Sequence, residues 1–140
     1  MMKPRLIAAT LAALVAISGA PLAAQPATDS QRIVSIYRAA PGHQMQLLQW
    51  LARQDAAGRA AGIGPSQLYV HQDGASWDFI VISPVTTPEQ DRATDAELRR
   101  LGAVSGPKLG IELRQHLAEH TDTIAAGPTT AADWLKRLEE

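Results

Sequence analysis

The sequence contains no cysteine among its 140 residues. This absence excludes disulfide bonds, thiolate metal sites and cysteine nucleophiles. A small domain without covalent cross-links often gains stability by oligomerising. The lack of cysteine is therefore a first indication of a homodimer.

Several signatures of common binding and catalytic sites are also absent. The chain has no glycine-rich phosphate-binding loop, no nucleophile elbow and no zinc-protease HExxH segment. The spacing of its acidic residues matches no calcium-binding loop. We therefore expect no cofactor, and no metal site built on one of these motifs.

The beginning of the chain predicts a secretory signal peptide over residues 1–24. Lys3 and Arg5 make the start basic, and an apolar run over 6–17 is followed by small residues. The run is shorter than the roughly 20 residues that a membrane span needs, so an uncleaved anchor is the less favoured alternative. We expect cleavage after Ala24.

Export follows from this prediction, to the periplasm or out of the cell, without membrane contact after cleavage. Residues 25–30 are polar and predict a flexible tether, and residues 31–140 predict a single domain. Once Lys3 and Arg5 are removed, the 13 basic residues become 11 against 14 acidic ones, a net charge of −3. This mild negative charge disfavours nucleic acid and anionic membrane surfaces as partners.

The densest apolar segment of the exported part runs over 66–83 and predicts two strands. An Asp73–Gly74 pair between them predicts a tight hairpin turn, with a loop longer than two residues as the alternative. On the second strand, Trp77 and Phe79 would alternate with Ile80, and apolar residues on both sides predict a central strand.

The remaining elements follow from periodicity and capping residues. Residues 32–38 are β-branched and aromatic, as in a strand, and residues 43–61 carry the apolar spacing of a helix. Thr87, Pro88 and Gln90 form a helix start that continues to Leu101.

The C-terminal third is more ambiguous. A helix throughout 109–124 is one alternative, and the favoured one is a short helix near 107–113 followed by a strand. Thr130 and Asp133 predict the start of a terminal helix, whose apolar side would be Trp134, Leu135 and Leu138.

This order, βαββαβ with an extra C-terminal helix, predicts an α+β ferredoxin-like fold with an antiparallel sheet. Helices on one side would leave the other face of the sheet bare. That face would carry Trp77, Phe79 and Val81, or else Ile80 and Ile82. Burying such a face calls for a second sheet, most simply from a second copy of the chain.

Over about residues 32–127 the chain resembles the dimeric α+β barrel superfamily, which includes the antibiotic-biosynthesis-monooxygenase-like and NIPSNAP-like groups. The resemblance is carried by the element order and by short stretches at 34–38, 77–82 and 120–123. It implies a sheet-on-sheet homodimer. It implies no particular activity, because the superfamily spans cofactor-independent oxygenases, haem enzymes, decarboxylases and proteins without assigned activity.

His116 and His120 are the candidate catalytic residues. On a helix, their spacing would bring both imidazoles to one metal ion, with Glu112 as a third ligand. On a strand, they would point the same way as Asp122, and either histidine could act as a general base. His43 is expected to be an ordinary solvated residue.

Four further residues are candidates for ligand binding: Tyr37, Tyr69, His71 and Trp77. Each is also explained by packing with a wet polar end. The favoured function is a homodimer that binds a small apolar ligand in a barrel cavity. The alternatives are a cofactor-independent monooxygenase-like enzyme acting on a small aromatic or polyketide-like substrate and, third, a metal-binding module using His116 and His120.

Overall fold

A computed structural model describes residues 31–74 and 76–139 of the chain. The predicted signal peptide (1–24) and tether (25–30) lie outside the described residues. Within the described part, no helix has both the length and the apolar character needed to cross a membrane.

The described elements follow one another in the predicted order, and a ferredoxin-like α+β arrangement results. The strands are β1 (Gln31–Ala39), β2 (Gln67–Val70), β3 (Phe79–Pro84) and β4 (Leu117–Ala126). The helices are α1 (Gln44–Ala60), α2 (Pro88–Arg100), α3 (Leu109–Arg114) and α4 (Ala131–Leu138), and a 3₁₀ turn (Gly106–Lys108) precedes α3. The strands form one antiparallel sheet in the order β2-β3-β1-β4.

Strand register divides the side chains between two faces of the sheet. Tyr37 pairs with Phe79 on β3 and with His120 on β4, so these three side chains share one face. We call this the helix face, because the buried cluster around Tyr37 and Phe79 includes Leu47 of α1. The opposite side, the outer face, has an apolar centre made of alternating residues: Val34, Ile36, Tyr69, Ile80 and Ile82.

The core lies on the helix face and is small. Its buried members are Tyr37, Ala39, Leu47 and Phe79, and partly buried apolar residues of α1, α3, β3 and β4 pack against them. The structure therefore decides between the two predicted orientations of β3. Phe79 and Val81 point to the helices, and Ile80 and Ile82 point outward.

The connection between β2 and β3 is the longer of the two predicted alternatives, and the predicted place of Trp77 on the second strand is wrong. The strands end at Val70 and resume at Phe79, so Trp77 lies in an eight-residue connection and not on a strand. The reason is Asp78, whose Oδ2 accepts a hydrogen bond from Ala39 N (2.7 Å) and whose backbone N donates to Tyr37 O (2.8 Å). These bonds fasten the connection to the end of β1. Gly74, at φ +105°, still makes the local bend.

The capping predictions are confirmed for α2. Thr87 Oγ1 accepts from Gln90 N (3.3 Å) and Gln90 Oε1 accepts from Thr87 N (3.0 Å), and Pro88 occupies the first helical position. At α4, Thr130 Oγ1 accepts from Asp133 N (3.1 Å). The favoured prediction of a short helix followed by a strand is also confirmed by α3 and β4.

Candidate functional site

A cavity of about 470 Å³ lies between the helix face of the sheet and helices α1 and α2. Leu68 of β2 and Val81 of β3 form its sheet wall, and Leu48 and Leu51 of α1 lie opposite. Helical and strand periodicity place these side chains here, since each belongs to the apolar side of its element. The cavity is thus a mostly apolar space beside the core.

Two polar side chains of β1 enter the cavity wall from the sheet. Ser35 and Tyr37 lie two residues apart on the helix face and are only 5% and 7% exposed. Register places Asp122 opposite Ser35 and His120 opposite Tyr37. We call these four residues the polar cluster.

Contacts within the polar cluster are close. Ser35 Oγ donates to Asp122 Oδ1 (2.5 Å), and the His120 ring stacks on the Tyr37 ring with centroids 4.6 Å apart and planes inclined by 10°. His120 Nε2 lies 2.9 Å from Asp122 Oδ1, but it is not aligned for a hydrogen bond. This nitrogen is therefore buried without a hydrogen-bond partner in the described part of the chain.

The environment keeps Tyr37 protonated. Burial raises the pKa of the Tyr37 phenol above its ordinary value near 10, and the negative charge of Asp122 adds to this, while the Ser35 hydroxyl opposes it. At neutral pH the phenol is therefore a hydrogen-bond donor in the wall of the cavity.

A second polar region of the cavity lies near the C-terminal end of α1. Arg59 Nη2 pairs with Asp55 Oδ2 at 2.9 Å, and Asp55 Oδ1 accepts from Ser66 N at 3.4 Å. Both charged residues line the cavity, and Arg59 is exposed. A ligand entering here would meet charge first and apolar surface deeper in.

The two candidate catalytic histidines occupy different places. His116 lies just before β4, where the β1–β4 register shifts, and its Nδ1 is 3.2 Å from Nδ1 of His43. His120 belongs to the polar cluster but does not line the cavity. The predicted common direction thus holds for His120 and Asp122, whereas His116 lies before the strand and contacts His43 instead.

The alternative metal set is not assembled. Residues 117–126 form a strand, so the helical spacing that would bring His116 and His120 to one ion is absent. Glu112 instead accepts from Trp50 Nε1 (3.1 Å) and pairs with Arg53 (3.3 Å). No group of three or more potential metal ligands occurs among the described residues.

The four candidate ligand-binding residues are distributed over three locations. Tyr37 lines the cavity, whereas Tyr69 lies on the outer face and is 51% exposed. His71 and Trp77 pack edge to face, with centroids 5.0 Å apart, beside a shallow depression next to Asp78. Their role in binding stays a prediction.

Some residues of the site were missed or undervalued by sequence reasoning. Ser35 shares the side of Tyr37 by simple alternation, which was a usable signal. His43 was expected to be solvated, but it is partly buried and faces His116, 73 positions along the chain. No local pattern indicates a contact between positions so far apart.

No protein-family model matches the chain, and no curated protein matches it. Among solved structures, it is similar to SnoaB, a cofactor-independent oxygenase from Streptomyces nogalater, in two crystal structures of which one is a point variant. The variant is 18% identical and the other structure 17%; for each, the match has a TM-score of 0.50 and covers 74% of this chain and 98% of SnoaB. A dimeric ferredoxin-like protein of unknown function from Thermobifida fusca is 16% identical, with a TM-score of 0.46 and coverage of 72% and 93%.

Identities this low establish a shared fold and nothing about activity. The predicted ferredoxin-like fold is confirmed by this likeness. The ferredoxin-like fold covers most of the described chain.

Proposed function

We propose that this chain, which has the ferredoxin-like fold of the dimeric α+β barrel superfamily, forms a homodimer and binds a small, mostly apolar ligand in the cavity on its helix face. The observation that carries the proposal is the cavity itself. Its volume of about 470 Å³ lies within the range of about 300–1,000 Å³ typical of small-molecule sites.

The lining indicates the chemistry of the ligand. Apolar side chains of α1, β2 and β3 would contact an apolar body, and the protonated Tyr37 phenol would donate to one acceptor oxygen. A small aromatic or polyketide-like compound with a hydroxyl or carbonyl group meets both requirements.

The binding test uses 2-naphthol, a small fluorescent compound of this class. We expect saturable binding to the wild-type chain, and at least tenfold weaker binding by Val81→Phe, because the larger ring fills the cavity from β3. Val85→Phe is the matched control: it makes the same substitution four residues later, at an exposed position outside the cavity. Equal binding by both variants would place the ligand elsewhere.

Support for the homodimer comes from the outer face. Val34, Ile36, Ile80 and Ile82 form a contiguous apolar surface there, and Ile36 is 38% exposed. Contiguous apolar surfaces of this kind are typical of protein interfaces, and a two-fold axis would let the face cover itself.

The dimer test is sedimentation of two isoleucine-to-lysine variants at micromolar concentration. Ile36→Lys puts a charge in the centre of the outer face and should yield monomers, because the buried charge would be unpaired. Ile111→Lys changes an exposed isoleucine on α3 and should leave the dimer intact. A wild-type monomer would contradict the proposal outright.

The second candidate function is a cofactor-independent oxygenase, the activity by which SnoaB is described. The polar cluster favours it: Tyr37 lines the cavity and stacks on His120, whose buried imidazole nitrogen beside a carboxylate is suited to accept a proton once a substrate displaces enough of the wall to reach it. His120→Gln should then abolish oxygen consumption with 2-naphthol while naphthol binding persists. Absence of oxygen consumption by the wild-type chain, across a panel of naphthols, would leave the binding function alone.

Export to the periplasm or the medium is also proposed, on the composition of residues 1–24. Expression in a bacterium followed by cell fractionation and amino-terminal sequencing tests it. We expect a mature chain that begins at Gln25; an intact Met1 in the cytosolic fraction would contradict export.

A further inference from the structure

The terminal helix α4 is strongly amphipathic, yet none of its residues is buried. Leu135 and Leu138 are 61% and 72% exposed, and Trp134 beside them is also exposed. Its polar residues include Arg137, whose guanidinium lies 5.3 Å from the centroid of the Trp134 ring. Trp134, Leu135 and Leu138 form an apolar stripe that the described part of the chain does not bury.

A helix of this size needs something to pack against. α4 has 8 residues and is therefore about 12 Å long. Isolated helices shorter than about 12–15 residues are marginal in water, because nucleation costs more than a few hydrogen bonds return. Its capping contacts at Thr130 stabilise the first turn only.

A groove lies next to the start of α4, at one end of the outer face. Its volume is about 430 Å³. We call it the terminal groove. Its lining is largely apolar and includes Val34, Pro65, Gln67, Ile82, Ala125 and Pro128. Because Pro128 is three residues before Ala131, α4 begins within about 11 Å of the groove rim.

The size of the outer face leaves room for a further contact in a dimer. Four strands of this sheet span about 19 Å by roughly 24 Å, a projected area of about 450 Å². A stable specific interface buries about 800 Å² of accessible surface per partner, so a contact beyond the sheet would enlarge the interface toward that size. Val34 and Ile82 belong both to the outer face and to the lining of the terminal groove, which makes the two surfaces continuous.

Charge disfavours a lipid surface as the occupant of the apolar stripe. Within the described part of the helix and its cap, Asp133 and Glu139 balance Lys136 and Arg137. Helices that bind anionic membranes carry an excess of basic residues on their polar side. A second copy of the chain is the better match.

We propose that α4 of each copy packs into the terminal groove of the second copy, with Trp134, Leu135 and Leu138 facing Val34, Pro65 and Ile82. The inference rests on the proposed homodimer. A two-fold axis would make the exchange reciprocal, so each groove would be closed by a helix of the partner.

Because the chain contains no cysteine, introduced pairs can map this contact without background. A Leu138→Cys chain and a Gln67→Cys chain, distinguishable by an affinity tag, are mixed, exchanged and oxidised. We expect a disulfide between the two different chains in most of the mixed dimers. Met45→Cys in place of Gln67→Cys is the control, since Met45 is exposed on α1 outside the groove, and it should cross-link at least tenfold less.

A second measurement does not depend on disulfide geometry. The double variant Leu135→Asp, Leu138→Asp should raise the dimer dissociation constant at least tenfold, while circular dichroism shows a folded chain. Unchanged dimerisation in this variant would overturn the inference, as would a disulfide confined to one chain when Leu138→Cys and Gln67→Cys are combined.

The outcomes separate the two proposals. A wild-type dimer that gives no Leu138→Cys to Gln67→Cys cross-link overturns the helix exchange and leaves the sheet-to-sheet dimer standing. A wild-type monomer overturns both. Binding of the wild-type chain to vesicles of phosphatidylglycerol, lost in the double aspartate variant, would assign the stripe to membranes and overturn the exchange.

Discussion

The two faces of the sheet are built by the same strands but are covered differently. On β1, Ser35 and Tyr37 point to the helix face and are buried, whereas Ile36 between them points outward and stays exposed. Polar side chains are thus buried inside the chain while an isoleucine faces solvent. The helix face is thus completed by the chain's own helices, whereas the outer face is left for the partner copy that we propose.

The two faces also differ in the function that we propose for each. The helix face holds the cavity and the polar cluster, which are suited to a small ligand. The outer face offers apolar surface without a comparable polar cluster among its central residues, which is suited to another protein surface. In the proposed function, β1 would therefore serve ligand binding with its odd-numbered residues and assembly with its even-numbered ones.

The largest expected effect is a difference in the free energy of unfolding between variants on the two faces. Phe79→Ala should lower the free energy of unfolding by about 3–5 kcal/mol, because it removes a core ring that packs against Tyr37 and Leu47. Its neighbour Ile80→Ala, on the outer face, should cost about 1 kcal/mol in dilute solution. Urea unfolding at two protein concentrations measures both.

Varying the protein concentration gives a second test of the difference between these two variants. The cost of Ile80→Ala should rise with protein concentration, since a dimer buries the outer face, while the cost of Phe79→Ala should not. Equal costs for the two variants in dilute solution would mean that the faces do not differ as described.

A smaller effect is expected in the polar cluster. Asp122→Ala removes the acceptor of the buried Ser35 hydroxyl and should cost about 1 kcal/mol of stability. Thr121→Ala, the adjacent residue on the outer face, should change stability by less than about 0.5 kcal/mol. Thermal unfolding of both variants against wild type checks the difference, and a larger loss in Thr121→Ala would contradict it.

The smallest effect is a shift in titration. In the Tyr69→Phe variant, Tyr37 is the only tyrosine left, and its ultraviolet phenolate signal should appear above pH 10, since burial raises its pKa. The neutral phenol then stabilises the fold below about pH 10, and this contribution is lost as pH rises through the higher folded-state pKa. A titration midpoint at or below pH 10 would show that Tyr37 is not buried as described.

Local sequence signals predicted most of the fold. The Thr87–Gln90 capping box, the short helix before β4 and the alternation on β1 all depend on residues within a few positions of one another. The length of the connection after β2 stayed open in the sequence, because Asp78 forms its hydrogen bonds with Ala39 and Tyr37, some 40 positions away. Residues distant in the sequence determine the length and path of such loops, and a single sequence does not show which distant residues are in contact.

The candidate site was predictable only in part. Tyr37, His120 and Asp122 were recognisable as strand residues with useful chemistry, but their meeting depends on the register between β1 and β4. His116 contacts His43, and Glu112 accepts hydrogen bonds from Trp50 and Arg53 and is not a metal ligand beside the histidines. Both contacts follow from the packing of α3 beside α1.

By itself, the sequence determined which segments become helix or strand and which residues alternate on β1, because these depend on local geometry and side-chain spacing. Only the tertiary structure decided that the helices cover the face of Tyr37 and Phe79 and leave Ile36 exposed. It also decided that His120, and not His116, joins the polar cluster. The physical reason is that alternation defines two faces but not which one is buried; packing between distant elements makes that choice.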